Sequence, residues 1–451
     1  MTQKQQANGD TRSDRTHRVV VTGLGIVCPL GHDVETVWKA VLAGQSGAGK
    51  TTIFDASAYP TQFDSEVKGY DWTRHVRQAA LHQHAHRGCR FALGAAVQAC
   101  RQAGIQVETD AARDGIDRTR MGIYLGSGEG AVDHDMLFSA ILAGWDGQTG
   151  RMDWSRWADT AMRRGSPVQV LEQEPHLPAA HLAVLTGARG PVRSCLTACA
   201  ASTQAIGEAM MLIRNGHADV MITGGCHSMI HIMGVMGFNR LTALSTRNNS
   251  PQTASRPFSA SRDGFAIGEG AGILVCESLE SAQRRKAGIL AEVVGYGSSA
   301  DAFRVTDMHE TGRGPIQAMR AALKDANLSP ADIDYVNAHG TSTVENDAIE
   351  TLAIKAVFGD RARQVPVSSV KGAMGHLVGA AGAAELITCV LALRDQTIPP
   401  TANLVDQDPK LDLDYVPLTP RKAEIGTIMK ESFGFGGQNN VVIIRRFDGH
   451  A

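Results

Sequence analysis

Apolar positions along the chain fall into two patterns: short β-branched or aliphatic runs closed by glycine, and longer stretches with apolar residues three and four apart. Arg18–Val27 (RVVVTGLGIV) reads as a buried strand, followed by Pro29-Leu30-Gly31 and a helix around Val34–Leu42. A helical region is predicted from about His82 to Ala103, and a strand from Met121 that ends in a glycine turn at Gly130. The apolar run Cys195–Ala198 stops at Cys199, where Ala200, Ala201 and Ser202 lead into an amphipathic helix reaching about Asn215. Ala218–Gly225 supplies another buried strand, and the glycine-dense Arg256–Gly272 leads into a strand at Ile273–Glu277.

The second half repeats this plan. Leu290–Gly297 is a strand, Pro315–Ala326 a helix, and Asp334–Thr343 a strand ending in a polar turn that parallels Tyr124–Gly128. Val367–Leu393 is strand, turn and small-residue helix, parallel to the Cys199 stretch. The expectation is an α/β fold of two similar halves, 18–285 and 286–451, behind a polar tail (1–17) expected to be mobile. At 451 residues the chain exceeds a single core, so two lobes of roughly 150–250 residues are expected.

Charge and cysteine usage narrow the function classes. With 44 Lys+Arg against 46 Asp+Glu, the net charge of -2 argues against a nucleic-acid or membrane-surface binder. The eight cysteines form no C-x-x-C pair and sit mostly in apolar runs, which predicts a reduced, cytoplasmic enzyme. The N-terminus has no apolar core of a signal peptide, and no stretch reaches membrane-spanning length.

Several local signals compete for chemistry. Gly44–Thr51 fits G-x-x-x-x-G-K-[ST], but a helix precedes it and a turn-like TTIFDASAYP follows, so strand and helix are not placed to cradle phosphate. His82 and His86 are four apart with no Cys, Asp or Glu to complete a metal set, and a solvated face is expected. Trp145, Trp154 and Trp157 in a polar stretch predict a surface excursion or interface. Cys199 at a strand-to-helix junction is a candidate nucleophile, since free N–H groups and the helix dipole favour thiolate. The matching turns should bring Cys199, His339, Lys371 and His376 to one pocket at the carboxyl ends of strands. One thiol and two imidazoles suit acyl transfer followed by stabilisation of an enolate.

At these residues the chain resembles the elongating, type II β-ketoacyl-[acyl-carrier-protein] synthases of the thiolase-like superfamily, from about Arg18 to Arg446. The motifs are TACA around Cys199, RPFxxxRDGF at Arg256–Phe265, NAHGTST at Asn337–Thr343, VKGAMGHLVGAAG at Val370–Gly382, and SFGFGG at Ser432–Gly437. The resemblance implies a five-layered αβαβα arrangement and a homodimer that uses acyl- and malonyl-carrier substrates with no metal or organic cofactor. It implies Cys199 as nucleophile, the amides of Cys199 and Phe435 as oxyanion hole, and His339 and His376 driving decarboxylation. It further implies Lys371 paired with Glu350, Thr341 and Thr343 on the pantetheine arm, and Phe435 as gate of the acyl pocket.

Departures from the pattern carry their own expectations. Glu129 stands where the acyl tunnel is usually apolar, so a short tunnel or a polar, unsaturated or aromatic acyl group is expected. The segment 144–157 looks inserted near the dimer contact. The first docking helix for the acidic carrier offers His82, His84, His86 and Arg87 rather than a Lys/Arg-rich face, with Arg163 and Arg164 as a second site. Docking should then strengthen as pH falls. VEND at Val344–Asp347 and Gln438 depart from the usual residues and favour a dedicated secondary pathway. The alternatives are a ketosynthase subunit of a type II polyketide or polyene system with a chain-length partner, a Cys-His thioester hydrolase, and a P-loop NTPase.

Overall fold

Ten strands form one sheet in the computed structural model, which describes residues 17–109, 113–130 and 132–449. They are β1 (Val19–Val27), β2 (Met121–Ser127), β3 (Val192–Cys195), β4 (Val220–His227), β5 (Gly270–Ser278), β6 (Ala291–Ala300), β7 (Tyr335–Asn337), β8 (Val367–Ser368), β9 (Thr427–Gly434) and β10 (Gln438–Arg445). The spatial order is β8-β7-β9-β10-β6-β1-β5-β4-β2-β3. Read outward from the middle, the two halves match: β1-β5-β4-β2-β3 against β6-β10-β9-β7-β8, with the outer three strands parallel and the inner pairings antiparallel in each. The halves are not separate lobes, because Val19–Val21 of β1 pair with Ala291–Val293 of β6 and join them edge to edge. The predicted tail, except His17, lies outside the described residues.

Strand alternation assigns each face its helices. Val442 and Ile444 of β10 and Leu274 of β5 face inward, onto the helices Ala201–Arg214 (α1) and Ala381–Asp395 (α2), which carry Ile206, Met210, Leu386 and Val390. On the opposite face Ile273 and Val275 meet Phe91 and Leu182, from the helices Arg87–Gln102 and Leu177–Thr186. Val441 and Ile443 likewise meet Met319 and Ile354, from the helices Arg313–Ala326 and Val344–Phe358. Helix, sheet, helix, sheet, helix is the resulting stack.

The two inner helices start alike. Ala198 and Val378 both take φ of +48°, each opens a three-residue 3-10 turn, and α1 or α2 follows directly. They also pack tightly, since a Cβ on Gly382 would lie 2.0 Å from Thr203 Oγ1. Gly382→Val should therefore lower stability by about 1–3 kcal/mol through overpacking, read as a lowered urea midpoint with the slope unchanged.

One local expectation is corrected. The stretch after His82 is not one helix. A 3-10 turn covers Ala79–His82 and the helix starts at Arg87, because the His86 side chain accepts the Cys89 amide and caps it. In the Gly44–Thr51 segment, Gly49–Lys50 pairs with Phe63–Asp64, and among the described residues no helix follows before Trp72. The tryptophan segment is a hairpin, Trp145–Asp146 against Arg151–Met152, leading into an exposed helix Trp154–Arg164. No helix among the described residues is long and apolar enough to cross a membrane.

Candidate active site

The turns that open α1 and precede α2 bring Cys199 and His376 together, and the loop after β7 adds His339. The Cys199 sulfur and one ring nitrogen of each histidine lie within 4.8 Å of one another, all three residues being buried. They line a cavity of about 310 Å³ together with Thr341, Thr343 and Phe435.

Burial pushes the Cys199 thiol up to about 11, against the Lys371 charge and the backbone N–H groups of Phe435 and Cys199, which lower it. This corrects the expectation of a resting thiolate. Desolvation of a buried anion outweighs the dipole of one helix. The same two amides reach the Cys199 sulfur. Gly434 packs against the Cys199 amide, since its Cβ would come within 3.2 Å of that nitrogen.

Both imidazoles are held well below their ordinary value, by burial first and then by the Lys371 charge. Lys371 Nζ donates to the His339 carbonyl oxygen at 2.5 Å and stands 3.2 Å from His339 Nδ1. An ammonium has no acceptor, so Nδ1 accepts and the His339 proton sits on Nε2. His376 Nδ1 accepts the Val378 amide at 3.3 Å, which likewise leaves its Nε2 as donor; that atom is buried without a partner. A Cys-His-His trio could in principle hold a soft cation, but the Lys371 ammonium beside His339 opposes one. Two neutral N–H donors facing a thiol suit a developing enolate better.

The pairing of Lys371 with Glu350 is corrected. Lys371 binds Glu385 of α2, and Glu350 instead accepts the amides of His339 at 2.6 Å and Gly340 at 2.8 Å. Glu350 thus shapes the His339 loop from the helix Val344–Phe358. The lone carboxylate at Glu385, in an otherwise apolar run, was the signal that could have revealed it, because a buried charge requires a partner. Asp347 of VEND accepts the Phe258 and Ser342 amides, joining the RPF segment to the same loop. Thr341 and Thr343 share a hydrogen bond of 2.8 Å between their hydroxyls at the cavity wall. Phe435 is half-buried beside Phe238, and Gly436 and Gly437 follow it at φ of +82° and +70°.

Glu129 does not line the Cys199 cavity. Its carboxylate lies 3.7 Å from His227 Nε2, and that imidazole holds the carboxyl down at about 2. His227 Nδ1 in turn accepts the amide of Gly379, next to Val378, which packs with Cys199. Of the docking candidates, Arg87 is tied to Glu269, Arg163 pairs with Asp159, and Arg164 donates to Ser139 Oγ at 2.9 Å. The pH-dependent docking expectation keeps one of its three histidines, the exposed His84. His82 is buried with its Nδ1 2.9 Å from His181 Nδ1, and burial pushes His86 down to about 4, so neither charges near neutrality.

With this geometry in place, the comparisons are specific. Residues 16–282 match the family model "Beta-ketoacyl synthase, N-terminal domain" and 290–405 match "Beta-ketoacyl synthase, C-terminal domain". The 3-oxoacyl-[acyl-carrier-protein] synthase 2 of Staphylococcus aureus (strain COL) is 39% identical over 431 residues, covering 96% of this chain and 99% of that protein. A type II polyketide ketosynthase solved with its acyl-carrier protein and bound to the hexaketide (AntDE:AntF) is 33% identical at a TM-score of 0.83, covering 96% of this chain and 100% of that one. The ishigamide ketosynthase/chain length factor is 31% identical at the same TM-score and the same coverage.

Proposed function

The chain belongs to the β-ketoacyl synthase family and is a carrier-protein-dependent condensing enzyme of fatty-acid or polyketide elongation; from that premise we propose that Cys199 carries the acyl chain and that His339 and His376 activate the malonyl unit. In the first half-reaction the Cys199 sulfur forms a bond to the acyl carbon, the carrier's C–S bond breaks, and the thiol proton leaves with the carrier sulfur. In the second, the bond from malonyl carbon to carboxylate breaks and CO2 departs. The electron pair becomes an enolate whose oxygen accepts from the two Nε2–H groups. The enolate carbon attacks the Cys199 thioester, the oxyanion is held by the amides of Cys199 and Phe435, and collapse returns the sulfur, which takes up a proton. Thr341 and Thr343 hold the pantetheine arm, Phe435 gates the acyl pocket, and Lys371 and Glu350 orient His339.

The observation that carries this reading is the convergence of one thiol and two imidazole donors in a single cavity, each Nδ1 already engaged. Intact-protein mass after incubation with acyl-carrier, then malonyl-carrier, tests it. An adduct on Cys199 that disappears into 3-ketoacyl product supports the synthase, and an adduct that decays to free acid without malonyl-carrier supports a hydrolase.

The titration directions separate the half-reactions. Because the thiol lies near 11, alkylation of Cys199 by iodoacetamide should rise about tenfold per pH unit between pH 7 and 9. CO2 release from malonyl-carrier should stay flat from pH 8 to pH 6, because both imidazoles remain neutral there. A common pH dependence for both steps would contradict the assignment.

Glu129, outside the Cys199 cavity, biases the acyl site toward polar or short chains only through His227 and the Gly379 turn, supported by its ionised state and by that link. Glu129→Ile should shift kcat/KM toward longer saturated chains, measured on a panel of acyl-carriers. The enzyme works as a homodimer in the cytoplasm, supported by the exposed edge strand β3 and by eight unpaired cysteines. Arg87, Arg163 and Arg164 contribute to carrier docking. A heterodimer with a chain-length partner is the second reading, favoured by the likeness to the ishigamide ketosynthase/chain length factor. Co-purification with a second ketosynthase-like chain would decide for it.

A further inference from the structure

Behind His339 lies more buried charge than one ion pair requires. Glu385 uses one oxygen for Lys371 and stands 2.6 Å from Lys430 Nζ with the other. Lys430 extends from β9, donates to Ser432 Oγ at 2.5 Å and also reaches the Glu431 carbonyl. Ser432 Oγ is 2.7 Å from Thr203 Oγ1, on α1 and four residues on from Cys199. Lys371, Lys430, Glu385, Ser432 and Thr203 are each at most 1% exposed. An unbroken polar array thus runs from His339 Nδ1 through Lys371, Glu385, Lys430 and Ser432 to the helix that presents the nucleophile. Bringing a second ammonium into such a place carries a desolvation penalty of several kcal/mol, so it calls for a reason beyond filling space.

We propose that Lys430 is a positioning residue for the condensation step: its ammonium takes the second oxygen of Glu385, fixing that carboxylate and the Lys371 ammonium against His339, and ties this array through Ser432 to the helix behind Cys199. The inference rests on the assignment of His339 and His376 given above. The charge balance fits. Two ammonium groups on one carboxylate leave one positive charge over, and Glu431, beside Lys430 in sequence, faces Glu350. Burial raises both of those carboxyls, with Asp347 adding to it at Glu350 and Glu350 at Glu431, and their mutual hydrogen bond places the shared proton on Glu431, so the pair retains one negative charge. The other ionisable groups around Lys430 are Cys389 of α2 and the two imidazoles. After burial and Lys371, Lys430 is a further cation that holds both imidazoles neutral.

Lys430→Met leaves the Lys371–Glu385 pair intact, and Lys430→Met/Glu431→Gln also removes the neighbouring carboxylate so that the buried charge stays balanced. For each, Cys199 acylation is followed by intact mass, and CO2 release and 3-ketoacyl formation are followed from pH 5.5 to 8. Acylation should stay within about threefold of wild type, whereas condensation should fall at least tenfold at pH 6 and less at pH 8, its acidic limb moved upward. Superimposable condensation profiles overturn the proposal. So does a parallel fall of both half-reactions at every pH, or failure of both variants to fold, since either makes Lys430 a structural residue only. A wild-type enzyme that is acylated but releases no CO2 overturns the family reading of the histidines instead.

Discussion

Glu385→Gln should destabilise the fold by about 3–5 kcal/mol and remove most condensation activity, the cost of breaking a buried ion pair by deleting one partner. The reason is local. Glu385 is the carboxylate that both Lys371 and Lys430 touch, and all three side chains are buried. Without its charge two ammonium groups face each other across an amide with two donors of its own. At least one lysine must then lose its proton or leave the site, and His339 Nδ1 loses the donor that keeps its proton on Nε2. Urea unfolding with circular dichroism measures the stability. A loss below about 1 kcal/mol would mean that a lysine is neutral in the native state.

Cys199→Ala should lower condensation by at least ~10³-fold, as expected when a covalent nucleophile is deleted. Malonyl-carrier should still lose CO2 in this variant, giving acetyl-carrier, because decarboxylation needs the two Nε2–H donors and not the sulfur. The donors are held by Lys371 and by the Val378 amide, and neither hydrogen bond involves the Cys199 sulfur. Removing the methylene-bound sulfur from a cavity of about 310 Å³ leaves room for the malonyl group to bind as before. CO2 release that falls with condensation would place Cys199 in the decarboxylation step too.

Much of the site was readable because it lies on repeated local patterns. Cys199 and His376 sit at turns where an apolar strand gives way to small residues, and His339 ends a strand in NAHGTST. Small residues at such turns have a physical cause: helices α1 and α2 start in close contact, and Gly382 would clash with Thr203 if it bore a Cβ. Elsewhere local patterns misled. The spacing of His82 and His86 predicts an exposed helix face, but one is packed against His181 and the other caps a helix. Spacing along the chain does not show whether a polar side chain is solvated or capping. Lys371 was matched to Glu350, yet it is Glu385, fourteen residues on along the same chain segment, that returns to it when α2 folds back over the turn.

The chain's amino-acid order by itself determined the two-fold repeat of strand, turn and helix and the identity of thiol and imidazoles, because each follows from periodicity and side-chain chemistry within some twenty residues. Tertiary structure alone decided which carboxylate serves which lysine, that the halves merge into one ten-stranded sheet, and that Cys199 rests as a thiol. Those depend on desolvation and on contacts between segments that meet only when the chain folds, and energies of that kind exist only once water has been excluded.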